Sequence, residues 1–153
     1  MSKASKNRPE DVQTDIATRG RLEQMAAQPQ LDFELDFFER ILQRRPDFVD
    51  VLRVQGNNLT AKGLYVRGLE ADRQLVRLRP NDPLTHYNLA CSYSLLHLND
   101  AALGSLDASI KLGYCDFEHM LGDPDLEHVR SDARFVGLLG RHLKKMKPSR
   151  KAR

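Results

Sequence analysis

ILQRRP, at residues 41–46, returns as LVRLRP at residues 75–80, a spacing of 34 residues. Each copy closes an apolar-periodic run, puts cations where the last helical turn would lie, and ends on Pro. Cations near a helix C-terminus suit its dipole, and Pro cannot continue the backbone ladder. Each copy is followed by a short turn containing Asp: Asp47 after the first, Asn81-Asp82 after the second. A fixed period of this length is that of one helix–turn–helix unit, which buries its apolar face by stacking on its neighbours. The expectation is an all-α chain of antiparallel helix pairs.

Reading outward, Leu31, Phe33, Leu35, Phe37, Phe38, Ile41 and Leu42 form a helix over 31–45 that is richly apolar on one side. Between the two prolines the pattern splits into helices over about 48–62 and 65–79, with a turn at Gly63-Leu64-Tyr65. Asp82 is placed to cap a helix over 83–97. After a turn at Leu98-Asn99-Asp100, a partner helix over about 100–112 ends at Gly113.

At this point the residues resemble the tetratricopeptide repeat family. HYNLACSY (86–93) is similar to the first helix of such a repeat, with Leu89, Ala90 and Tyr93 in register, and Ala102, Leu106 and Ser109 match its second helix. In the preceding block Leu52, Gly56, Leu59, Gly68 and Pro80 match, while Gln55 stands where Leu is usual. The resemblance covers roughly residues 31–113 and implies a right-handed superhelical stack, a tetratricopeptide-like α-solenoid. LGYCDFEHMLGDPDLEHVRSDARFVGLL (112–139) resembles the closing segment of many bacterial proteins of this family. Asp123-Pro124 would start a short helix there. Ser131 or Asp132 would cap a last helix that buries Phe135, Leu138 and Leu139. Solenoid ends need such caps to cover an apolar flank.

The domain reading is a polar N-terminal segment, 1–28, mostly disordered; a helical domain, 29–146; and a basic disordered tail, 147–153. The helical domain divides into a lone leading helix (31–45), repeats 49–82 and 83–116, and a cap over 117–146. The flank carrying Phe33, Phe37 and Phe38 is aromatic enough to pair with a second copy in a homodimer.

Composition narrows the function classes. The 153 residues are 41% hydrophobic and 29% charged, ordinary for a globular chain. No apolar run approaches the roughly 20 residues a membrane span requires. The N-terminus MSKASKNRPEDVQTD lacks the apolar stretch of a signal peptide, so the cytoplasm is the expected compartment. Cys91 and Cys115 form no CxxC and read as free thiols. Net charge is +3, but Arg141, Lys144, Lys145, Lys147, Arg150, Lys151 and Arg153 put +7 into residues 141–153, leaving the other residues at −4.

Function is expected at the concave face, where the first helices of successive pairs meet. Asp50, Arg53, Asn57, Thr60 and Ala61 would face it from one pair, and Leu84, Tyr87, Asn88, Cys91 and Leu95 from the next. The peptide-contact set is Arg53, Asn57, Tyr87, Asn88, Cys91 and Leu95. Arg53, Asn57 and Asn88 offer a guanidinium and two amides, groups suited to a carboxylate or a peptide backbone. This spacing is similar to part of the carboxylate clamp of chaperone-binding tetratricopeptide proteins, with Arg53 in place of Lys. The clamp's further cations would fall at Glu118 and Gly122, so it is incomplete.

The leading expectation is therefore a scaffold that binds a peptide segment of another protein. The alternative is an accessory factor that touches nucleic acid or another polyanion through Lys144, Lys145, Lys147, Arg150, Lys151 and Arg153. No aromatic is interleaved with those cations for base stacking. Cys115 and His119 are one turn apart, yet no second ligand pair completes a metal site. No GxSxG, GxxxxGK[ST] or GxGxxG occurs. No cofactor, metal or catalytic residue is expected, and the acids of 123–132 read as helix caps and a solvated face.

Overall fold

The structure is a computed structural model and describes residues 29–146. Expectations for segments 1–28 and 147–153 lie outside those residues. Every regular element among the described residues is helical, so the chain is all-α there. The elements are α1 (29–44), α2 (Val49–Ala61), α3 (Tyr65–Leu78), α4 (Pro83–Leu95) and α5 (Asn99–Lys111), followed by α6 (Phe117–Gly122), a 3-10 turn (Pro124–Leu126), α7 (Glu127–Arg130) and α8 (Ala133–Met146). None is long and apolar enough to cross a membrane.

The helix ends follow from local chemistry. After α2, Gly63 takes φ +80° while its N–H bonds the Thr60 carbonyl and the Leu64 N–H reaches back to Leu59. After α5, Gly113 takes φ +112°, with Ile110 and Ser109 accepting from residues 113 and 114. These left-handed terminations satisfy carbonyls the helix leaves open, and glycine adopts them without strain. α4 ends with the same bond pattern, but His97 occupies the left-handed position at φ 59°. Asp82 caps α4 by accepting from the Leu84 N–H at 2.9 Å. Asp132 accepts from the Arg134 N–H at 3.0 Å, which settles the cap of α8 in its favour over Ser131.

Helices pack in chain order, α2 on α3, α3 on α4 and α4 on α5. The closing segment then folds back, with the 3-10 turn and α7 on α4 and with α7 and α8 on α5. Small residues set the close approaches. A Cβ on Gly68 would stand 2.9 Å from Thr60 Oγ1 across the α2–α3 contact. Ala90 and Ala102 are fully buried in α4 and α5.

One large core joins α4 through α8, built on Tyr87, Leu106, Met120, Leu126, Val129 and Phe135. A smaller one holds α2 to α3 through Leu52, Ala71 and Leu75, with Leu42, Val49 and Leu78 against it. Gln55, where the repeat pattern has Leu, is buried and donates from Nε2 to the Leu35 carbonyl at 3.3 Å, tying α2 to α1. Asn58 to Glu34 and Lys62 to Asp32 add polar ties between the same helices. On the outer side of α1, Phe33 and Phe37 are exposed and stack on one another at 6.2 Å.

Candidate functional site

A cavity of about 380 Å³ opens where α2, α3 and α4 meet the closing segment. Asn57, Thr60 and Ala61 reach it from α2, and Tyr65 and Asp72 from α3. Leu84, Tyr87, Asn88, Cys91 and Ser92 line it from α4. His119, Asp123 and Asp125 complete it from the segment that follows α5. The helical period explains the α4 set, since residues 84, 87, 88 and 91 fall on one face.

Four of the six residues of the expected peptide-contact set, Asn57, Tyr87, Asn88 and Cys91, are thus brought together, and Thr60, Ala61 and Leu84, also expected on that face, line the cavity with them. Arg53 and Leu95 are not among the lining residues. Arg53 donates from Nη2 to Asp82 Oδ2 at 3.1 Å, so its guanidinium ties α2 to the start of α4. The expected trio of one guanidinium and two amides is reduced at this cavity to Asn57 and Asn88. Among the described residues, neither amide makes a side-chain hydrogen bond. Of the tail candidates, Lys144 is exposed on α8; the side chains of Lys145, Lys147, Arg150, Lys151 and Arg153 lie outside the described set.

Tyr87 forms the floor rather than a free contact. It is buried, stacks on Tyr114 with ring centroids 4.4 Å apart, and donates its hydroxyl to Asp123 Oδ2 at 2.6 Å. The other Asp123 oxygen accepts from the Asp125 N–H at 2.9 Å, and Arg130 bonds the Asp123 carbonyl. Asp123 therefore caps the 3-10 turn, as its place before Pro124 suggests, and also faces the cavity. His119 Nε2 stands 3.4 Å from Asp123 Oδ2.

The charge of the lining is one-sided. Among the described residues it contains three carboxylates and neither Lys nor Arg. Asp72 is 6% exposed and accepts from Ser92 Oγ at 2.5 Å, and among the described residues no cation pairs with it. Burial pushes its carboxyl up to about 6, against a smaller downward pull from Ser92. Burial, and then the charge of Asp123, raise the Asp125 carboxyl. Burial and the neighbouring Asp123 hold the Tyr87 phenol and the Cys91 thiol well above their ordinary ranges. Cys91 is therefore a protonated, inert thiol at neutral pH. Among the described residues, no group of three His, Cys, Asp or Glu side chains is placed to hold a metal ion.

Sequence reasoning missed Asp72, Ser92, Tyr65 and His119, and it read Asp123 and Asp125 only as caps and solvated acids, whereas Asp123 is buried, Asp125 is half-buried and both line the cavity. Asp72 did carry a signal: it lies on the face of α3 that also holds Gly68, Leu69 and Leu75, which is buried. An acid at an apolar-face position marks a buried carboxylate.

No protein-family model matches the chain. A stretch of 104 residues, 66% of the chain, is 34% identical to a chloroplastic protein of Arabidopsis thaliana. The match covers 30% of that relative's length.

Proposed function

We propose that this chain is a protein-interaction module of the tetratricopeptide type, whose cleft between successive helix pairs receives a peptide segment of a partner protein. The observation that carries this reading is the cavity itself. It spans α2 and α4, is lined by the exposed Asn57 and the half-buried Asn88, and offers the apolar side of Leu84 next to them. An amide can pair with both the N–H and the C=O of an extended backbone, so two of them along a cleft suit a strand-like segment.

The proposed setting is a reducing compartment, with the cytoplasm as the default. The free thiols Cys91 and Cys115 support it. The relative's name places that protein in the chloroplast. A second copy docking through Phe33 and Phe37 is a separate proposal, supported by the exposure of both rings. Self-association of this kind gives a sedimentation coefficient that rises with concentration and stops rising in Phe33→Ser.

Affinity capture at physiological salt tests the main reading. The baits are the full chain, a chain ending after Met146 so that α8 is kept whole, and an Asn57→Ala/Asn88→Ala variant. A protein retained by the shortened bait and lost by the amide variant is the expected result. Recovery only of nucleic acid or acidic material, lost with residues 147–153 and untouched by the amide changes, would replace the cleft reading with polyanion contact through the tail.

A further inference from the structure

The charge of the cleft says what kind of segment it accepts; this step rests on the cleft being the binding site. Asp72, Asp123 and Asp125 line it together. The nearby cations are turned elsewhere: Arg53 to Asp82, and Arg130 to the main-chain carbonyl of Asp123. Among the described residues His119 is the one titratable base in the lining, and it stands beside Asp123, at the exposed edge.

Asp72 presents an open acceptor to the cavity. It is more than nine-tenths buried, and Ser92 satisfies only its Oδ2. Among the described residues its Oδ1 has no hydrogen-bond donor. That oxygen is not a fully buried atom, so a donor entering the cavity can reach it. A ligand carboxylate would add like charge to this wall. A cationic side chain would bring countercharge to three carboxylates at once. Leu84 and the ring of Tyr65 offer apolar surface for its aliphatic stem.

The geometry points to a basic peptide segment of a partner protein as the occupant, its Lys or Arg side chain entering the cleft toward Asp72 and Asp123 while Asn57 and Asn88 hold its backbone.

Short fluorescein-labelled peptides in which Ala alternates with Lys, Gln or Glu test this by fluorescence anisotropy on the full chain. The Lys peptide is expected to bind roughly tenfold or more tightly than the Gln peptide, and the Glu peptide more weakly still. Asp72→Asn, and independently Asp125→Asn, should weaken the Lys peptide severalfold and leave the Gln peptide unchanged. The second variant, at a half-buried position, keeps the test open if the first perturbs the fold by circular dichroism. Equal affinity for the Lys and Glu peptides, or indifference of the Lys peptide to both Asn substitutions, overturns the basic occupant. If such binding is still lost in Asn57→Ala/Asn88→Ala, the cleft reading survives that failure. If no peptide of any charge responds to the amide changes, both readings fall. Lys-peptide binding that emerges only after residues 147–153 are deleted overturns the partner assignment in favour of the chain's own basic tail.

Discussion

Tyr87 and Asp123 meet phenol to carboxylate at 2.6 Å, 36 residues apart in the chain. That bond joins α4 to the cap of the 3-10 turn within the closing segment, beneath the cleft.

Loss of this bond should be felt as stability. Tyr87→Phe keeps the ring stacked on Tyr114 and removes only the hydroxyl, leaving Asp123 short of a donor at a buried position. A cost of about 1–3 kcal/mol is expected in urea denaturation. Tyr93→Phe is the control. Its hydroxyl accepts from Arg73 at the surface, and the substitution should cost less than about 0.5 kcal/mol.

Asp72 predicts a pH signature. Its carboxyl is raised from 3.8 to about 6 in the folded chain, so folding favours the protonated form. That contribution is complete below the unfolded value and is lost as pH rises through about 6. By pH 7 the buried charge costs the fold on the order of 3 kcal/mol, at about 1.4 kcal/mol per pKa unit. Asn resembles the protonated acid and can still accept from Ser92. Asp72→Asn should therefore match the parent near pH 4 and exceed its stability increasingly up to pH 7. Denaturation curves across that range check it, and a difference that does not vary with pH would contradict the buried charge.

Much of this architecture was legible in the sequence. The 34-residue return of the Arg–Pro endings, the glycines at 63 and 113, and Asp82 before Pro83 are local signals, each acting within a turn of itself. The cleft was legible only through helix periodicity, which put Asn57, Tyr87, Asn88 and Cys91 on facing surfaces. What escaped depends on contacts between distant residues. Arg53 and Asp82 are 29 positions apart, and nothing near Arg53 announces that an acid will claim it. Asp123 was readable as a cap, but its second role needed the closing segment to fold back on α4. His97 occupies a left-handed position where glycine is the usual marker, so the end of α4 carried no such flag.

Two glycines should respond in opposite senses to alanine. Gly68→Ala drives a methyl to within 2.9 Å of Thr60 Oγ1, and a cost of about 1–2 kcal/mol is expected despite the gain in helix propensity. Thr60→Ala removes the obstructing oxygen, so the cost should shrink in that background. Gly104 lies in α5, and a methyl added there would meet nothing within 4 Å, so Gly104→Ala should stabilise by about 0.5–1 kcal/mol. Chemical denaturation of the single variants and the Gly68→Ala/Thr60→Ala pair tests all of this.

The closing segment should depend on one aromatic anchor. Phe135 is 2% exposed and lies in the core shared by α4, α5 and α8. Phe135→Ala should cost about 3–5 kcal/mol in thermal or urea unfolding. Its neighbour Val136 is 71% exposed, and Val136→Ala should change stability by less than about 0.5 kcal/mol.

The two cores differ greatly in size, and the cleft has a wall on each. Where few apolar groups are buried, local opening is cheap, so amide protons of α1 and α2 should exchange with solvent faster than those of α4 and α5. A segment held by Asn57 on one side and Asn88 on the other would lend the weaker half the rigidity of the stronger. Occupancy would then be read as slowed exchange in helices the ligand barely touches, and part of the binding free energy would go into quieting them.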